Sequence, residues 1–160
     1  MNPSHTLAEA KQKIEHYCAY QERCHKEVVQ KLKQMGMIPA AIDQIMAELI
    51  AENYLNELRF AQSFARGKFR IKSWGKNRIK RELKARDISD YCIKSGLAEI
   101  DQEDYLSCFH RLAEKKAASL SQLPLTQQKK KLADFLFYRG WESHLVFEKL
   151  SELPFETPEN

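Results

Sequence analysis

Apolar positions in this chain recur at helical spacing, in a register that is written three times. With Gly36, Asp87 and Gly140 aligned, Val28, Ile79 and Leu132 lie eight residues earlier and Leu32, Leu83 and Leu136 four earlier. Ile42, Ile93 and Val146 follow by six, Met46, Leu97 and Leu150 by ten, and Leu49, Ile100 and Leu153 by thirteen. Steps of four, four and three are those of helix faces turned towards a core. Five apolar columns in one fixed register therefore predict a repeated helical unit.

Each copy predicts a helix, a tight turn and a second helix. Gly36 and Gly140 suit the left-handed residue that ends a helix, whereas Asp87 bears that conformation less easily and predicts a modest strain in the second copy. Pro39 is placed to open the helix that follows, as the first helical residue, and in the second copy the equivalent of the residue before it is Ser89, a good N-cap. A further helix precedes each pair, over roughly residues 7–20, 56–71 and 101–121. Phe60, Phe64, Gly67 and Ile71 line one face of the second of these; Tyr105, Phe109, Leu112 and Lys116 line the third, with Leu106 and Ala113 beside them. The predicted fold is all-α: three tandem three-helix bundle repeats over residues 1–54, 55–100 and 101–153, forming an elongated or curved array, with a tail at 154–160. Units this small are uncomfortable alone, so neighbours are expected to pack or to share helices.

Composition narrows the class. Charged residues make up 30% of the chain and hydrophobic ones 43%, the balance of a folded soluble protein. No apolar run approaches the ~20 residues of a membrane span. Met1-Asn2-Pro3-Ser4-His5 lacks the basic-then-apolar pattern of a signal peptide, and a cytoplasmic address follows by default. His16, Cys18, Cys24 and His25 cluster, but Cys18 and Cys24 are six apart and no second knuckle follows, so small core or surface residues are the better reading than a metal site. Cys92 and Cys108 complete the four cysteines without a C-x-x-C pair, which argues against a disulfide framework.

Charge is distributed unevenly. Ten Lys or Arg residues and a single acid, Glu82, lie between Arg66 and Arg86, so this segment carries +9 while the whole chain carries only +4. With Ile79 and Leu83 facing inward, helical geometry turns Asn77, Lys80, Arg81 and Lys84 outward and leaves Arg78 on the flank. A solvated helix face is the bland reading of such a run. Here the acids needed for i,i+4 pairing are nearly absent, which favours a surface that meets phosphates or an acidic protein face. The candidate contacts are Arg66, Lys68, Arg70, Lys72, Lys76, Asn77, Arg78, Lys80, Arg81 and Lys84. Phe69 either stands opposite the core line between Lys68 and Arg70, free to stack on a base, or packs against the next unit if its helix ends early. Trp74 reads as a packing anchor at the turn.

The run Leu58-Arg59-Phe60-Ala61, then Phe64-Ala65-Arg66, Trp74-Gly75 and Arg78-Ile79-Lys80-Arg81-Glu82-Leu83, with Tyr54-Leu55 before it, resembles the core signature of the RecX family. Asp87 stands where that family commonly has glycine. The resemblance implies a cytoplasmic protein built of tandem three-helix repeats that binds along the RecA–DNA filament. It further implies modulation, mostly inhibition, of that filament's ATPase and strand-exchange activity in recombination, DNA repair and the SOS response. By the same resemblance Arg66, Arg70, Arg78, Arg81 and Lys84 are contact candidates, and Phe60, Phe64, Ile79 and Leu83 are scaffold. The partners implied are the RecA filament and single- or double-stranded DNA, met by a monomer with no cofactor and no membrane contact.

Catalysis has little support, since there is no phosphate-cradling glycine loop, no H-E-x-x-H and no spaced Cys/His/acid set. The alternative to a filament modulator is a helix–turn–helix-like regulator acting directly on duplex DNA, with residues 77–86 as its reading helix and Asn77 as its one evident base reader. A third class is an adaptor that touches no nucleic acid.

Overall fold

Local caps decide where each helix begins. Thr6 and Glu9 form a reciprocal capping box, each side chain accepting the other's backbone N–H at 3.2 Å. Asn56 accepts from Arg59 N–H, Ser89 from Cys92 N–H and Asp101 from Asp104 N–H. Pro39 stands in the first turn of its helix, as expected. In the computed structural model, which describes residues 5–155, these starts open a chain of nine helices with no strand among the described residues. They are α1 (Leu7–Tyr20), α2 (His25–Gln34), α3 (Pro39–Ala51), α4 (Glu57–Lys72), α5 (Lys76–Ala85), α6 (Asp90–Ala98), α7 (Gln102–Ser119), α8 (Leu125–Tyr138) and α9 (Ser143–Ser151). No helix among the described residues is long and apolar enough to cross a membrane. Most of the predicted tail, residues 156–160, lies outside the described residues, as do residues 1–4 of the N-terminus.

The second helix of each triplet ends in the same turn. Gly36, Asp87 and Gly140 all have left-handed backbone, with φ of 80°, 59° and 87°. Each donates its N–H to the carbonyl three residues back, and the following residue donates to the carbonyl five back: Met37 to Leu32, Ile88 to Leu83 and Trp141 to Leu136. This is the Schellman arrangement, and its innermost carbonyl belongs each time to a column leucine that is wholly buried. The other columns behave alike. Val28, Ile79 and Leu132 are fully buried, as are Ile42, Ile93 and Val146 to within a few percent; Leu49, Ile100 and Leu153 are buried, and Met46, Leu97 and Leu150 are half-buried.

The chain divides into two compact units, Met1–Ser63 with Leu83–Gly96, and Phe64–Glu82 with Leu97–Asn160. In the first, Ala10, Ile14, Val28, Leu32, Ile42, Ile45 and Leu49 form the centre of the core, with Tyr17 and Met46 packed against it. Cys18 and Cys24 belong to this interior; burial pushes the Cys18 thiol up to about 11 and raises that of Cys24, which keeps both protonated. Arg59 ties the end of α3 to the start of α4. Its guanidinium donates to the Asn53 and Tyr54 carbonyls and the Asn53 side chain, and pairs with Glu22 at 2.6 Å. Gly96 lies against Ala61, where an added Cβ would come within 2.7 Å of the Ala61 carbonyl oxygen.

In the second unit Trp141 lies in tilted contact with both Tyr105 and Phe109, and Ala113, Leu132, Leu136 and Val146 are fully buried. Lys149 is the buried charge of this unit, held by Glu114 at 3.0 Å and Glu152 at 3.4 Å. Burying an ammonium is costly unless such partners offset the lost hydration.

The strain at the second turn is testable. Asp87 is exposed and its pairing with Lys26, at 3.7 Å, is a weak surface contact, so Asp87→Gly removes a steric cost without removing much else. We expect the variant to raise the midpoint of denaturant unfolding by the equivalent of about 0.5–1 kcal/mol. A lowered midpoint would mean that the Lys26 contact outweighs the backbone strain.

Candidate functional site

The basic segment is carried by the end of α4, a short turn and α5. Along α4 the buried residues are Phe60, Ala61, Ala65 and Phe69, while Ile71 is 80% exposed. The inward line therefore runs through two alanines to Phe69 and departs from the expected Phe60–Phe64–Gly67–Ile71 line. Small side chains at 61 and 65 mark the close-packed face, which large hydrophobics at 64 and 71 disguise in the sequence. Phe69 does not stand free between its cationic neighbours: it is only 9% exposed, with its ring 5.8 Å from Tyr105. Nor does the helix end early, since it continues to Lys72 before Ser73 turns the chain at φ 54°.

The first turn of α5 is anchored by backbone. Gly75 N–H donates to the Arg139 carbonyl at 2.8 Å, Asn77 N–H to the Gly140 carbonyl at 3.0 Å, and Lys76 N–H to the Tyr105 hydroxyl at 2.9 Å. These are donors that a helix start leaves without intrahelical partners, and here they are all spent. The Tyr105 hydroxyl in turn donates to Glu142, and burial followed by that carboxylate pushes the phenol up from its ordinary range. The approach requires two glycines. A Cβ on Gly75 would sit 2.4 Å from the Gly140 carbonyl oxygen, and one on Gly140 would sit 2.2 Å from Arg78 Cβ.

Around this anchor the candidate contacts sort into two groups. Arg78 is half-buried, its guanidinium 4.2 Å from the Trp74 ring centroid and 4.7 Å from that of Tyr138, with one N–H donated to the Tyr138 carbonyl. Lys68 lies over Phe64 and Trp74, and Lys76 over Tyr105, both half-buried. Arg66 pairs with Glu99 at 3.5 Å. Trp74 is thus the packing anchor expected of it, edge-on to Phe64 and flanked by two cations. The other group, Arg70, Lys72, Asn77, Lys80, Arg81 and Lys84, is exposed. Among the described residues no carboxylate lies within ion-pair distance of Arg70, Lys72, Lys80, Arg81 or Lys84. What the arrangement offers chemically is a set of flexible cationic ends on a rigidly held helix, suited to phosphate or carboxylate contacts.

Sequence reasoning missed Tyr105, Glu142, Tyr138 and Gly140 as parts of this setting. The signal was present only as two glycines at 75 and 140, in segments far apart in the chain. Among the described residues no group of three or more His, Cys, Asp or Glu side chains is placed to hold a metal ion.

Comparison with known proteins bears on the same residues. Models of the first, second and third three-helix domains of RecX match residues 10–49, 56–97 and 102–150. The regulatory protein RecX of Streptococcus uberis is 30% identical over 147 residues, covering 89% of this chain and 54% of that protein. That of Prosthecochloris aestuarii is 28% identical over 142 residues, covering 86% of this chain and 88% of its own. The chain spans about half the length of the Streptococcus and Bacillus relatives it matches. Its fold is similar to the crystal structure of RecX from Lactobacillus salivarius, with a TM-score of 0.78 at 24% identity over 92% of this chain and 96% of that one. A second crystal structure of regulatory protein RecX aligns with a TM-score of 0.81 at 22% identity, covering 91% and 73%.

The glycine contact can be probed directly, because both tryptophans of the chain, Trp74 and Trp141, lie in the second unit. Gly75→Ala forces backbone apart where no flexible side chain can yield. Unfolding followed by tryptophan fluorescence should show a loss of about 2 kcal/mol or more. A loss below about 0.5 kcal/mol would contradict the close approach.

Proposed function

Because the chain belongs to the RecX family, we propose that it is a regulatory protein that binds the RecA–DNA filament and restrains its ATPase and strand-exchange activity. On this reading the family repeats run over residues 1–54, 55–100 and 101–153, and the protein works by binding, without catalysis or cofactor. The observation that carries the proposal is the exposed set Arg70, Lys72, Lys80, Arg81 and Lys84, none of them within ion-pair distance of a carboxylate among the described residues, on a segment whose first helical turn is anchored by backbone. With the backbone already held, the ordering cost on meeting phosphates or acidic side chains falls on the side chains alone. Arg78 and Lys76 contribute by holding α5 in place, and Arg66 is partly neutralised by Glu99.

A helix–turn–helix reader of duplex DNA has less support. The N-terminal turn of such a helix commonly approaches bases or phosphates, whereas here the N–H groups of Gly75, Lys76 and Asn77 are engaged by Arg139, Tyr105 and Gly140. Exposed Asn77, with Lys80 and Arg81, remains suited to reading a base edge.

The test is inhibition of RecA ATPase and strand exchange by the wild-type chain and by a Lys80→Glu/Arg81→Glu variant. These two residues are exposed, so their reversal leaves the core untouched, unlike Arg78. Wild type should inhibit, and the variant should need about tenfold more protein for half-inhibition. Absence of inhibition by folded wild-type protein sinks the proposal. Equal inhibition by both proteins would retain filament binding and discard the basic segment as its means. Tight, steeply salt-dependent binding to naked duplex DNA without inhibition would favour the direct DNA reader.

A further inference from the structure

The first unit carries a second cationic site that the basic segment does not include. α1, the turn after it and α2 enclose an open pocket of about 590 Å³, lined on its polar side by His5, Lys13, His16, Arg23 and Lys31, with Tyr17 at its floor. Among the described residues no carboxylate lines it. Arg23 is fixed there: its Nε donates to the Tyr17 carbonyl at 3.0 Å and its guanidinium lies flat against the Tyr17 ring, 3.7 Å from the centroid. Lys31 reaches the same ring at 5.7 Å. Three cationic side chains thus line one pocket, and the acids on these elements have other partners: Glu9 caps α1 through Thr6, Glu15 pairs with Lys11, Glu22 with Arg59 and Glu27 with Arg86.

The tautomer of His5 makes the site specific. Lys13 Nζ lies 2.8 Å from His5 Nε2. An ammonium can only donate, so Nε2 is the acceptor and the ring proton resides on Nδ1. That Nδ1 is buried and has no hydrogen-bond partner among the described residues. A buried donor without an acceptor is costly, and a turn of the His5 ring towards the pocket would let a ligand oxygen satisfy it. Two imidazoles, two lysines and a planar arginine fork are donors of the kind that bind phosphate oxygens.

We propose that this pocket is a phosphate-binding site, taking a phosphate group either free, on a small phosphorylated ligand, or within a nucleic-acid backbone. The proposal stands apart from the filament reading, since none of its residues belongs to segment 66–86. Its test uses the imidazole proton resonances of the five histidines in the full chain at constant pH and ionic strength. Inorganic phosphate, a nucleoside monophosphate and a short oligonucleotide without terminal phosphate are titrated separately against a chloride control.

His5 and His16 should move with saturation, while His25, His110 and His144 stay in place. In a Lys13→Gln/Lys31→Gln variant, whose far-ultraviolet dichroism should match wild type, the apparent affinity should fall about tenfold or more, the scale of losing one charge-assisted contact. Response to phosphate or the mononucleotide identifies a free or monoester group as the ligand, and response to the oligonucleotide alone identifies the backbone diester. Failure of all three probes to move His5 and His16 beyond the chloride control overturns the site. So does a uniform drift of all five histidines, or an unchanged affinity in the double variant.

Discussion

The structure depends on a turn that stops a helix with two backbone hydrogen bonds and a left-handed residue. At Gly36, Asp87 and Gly140 the chain reverses within a few residues, and the carbonyl that receives the inner bond belongs to Leu32, Leu83 or Leu136. Burial of those leucines and formation of the turn are therefore one event: the side chain enters the core only if the backbone behind it closes. The turn also aims the following helix, so that Ile42, Ile93 and Val146 fall on the inner face in every copy. In the second unit the Gly140 turn has an additional task. Its carbonyl and that of Arg139 receive the N–H groups that open α5, so the end of one helix supplies the cap of another. Backbone-to-backbone capping of this kind leaves no side chain to substitute, which is why both Gly75 and Gly140 are constrained by atoms that cannot move aside.

That constraint explains how a helix of high positive charge is tolerated. α5 carries Lys76, Arg78, Lys80, Arg81 and Lys84 in ten residues with Glu82 as its one acid. Like charges at neighbouring helical positions oppose helix formation by about 0.2–0.5 kcal/mol per pair. Intrinsic propensity alone would leave so short a helix marginal. Three capped N–H groups, two fully buried side chains at Ile79 and Leu83, and the clamp of Arg78 between Trp74 and Tyr138 offset that repulsion.

How much of this was legible in the sequence follows from which forces leave a periodic trace. The apolar columns do, because a buried helix face must recur at steps of three and four; all five were readable, as were the turn residues, the Pro39 start and the Ser89 cap. The outward set Asn77, Lys80, Arg81 and Lys84 followed from the inward pair Ile79 and Leu83. The inner face of α4 was misread because hydrophobicity was taken as the mark of burial. There the close-packed positions are Ala61 and Ala65, and the exposed one is Ile71. Left-handed Asn53 and Ser73 went unremarked, since asparagine and serine carry no unique backbone signal. Contacts between distant segments, such as Tyr105 with Lys76 and Glu142, leave no local pattern at all.

The division among the cations is the part of the candidate site that only coordinates supply. A run of basic residues reads as a single surface, yet its members differ in what remains for a partner. Arg78 has a ring on each side and one donor spent, so removing it would loosen the seat of α5 as well as subtract a charge. Lys80, Arg81 and Lys84 have no such second role, and Ile71 stands exposed between Arg70 and Lys72 on the preceding helix. Substituting the whole run would therefore confound folding with recognition. The two separate only when the clamped residues are left in place and the exposed ones reversed, because just the exposed ones have charge that the fold itself does not use.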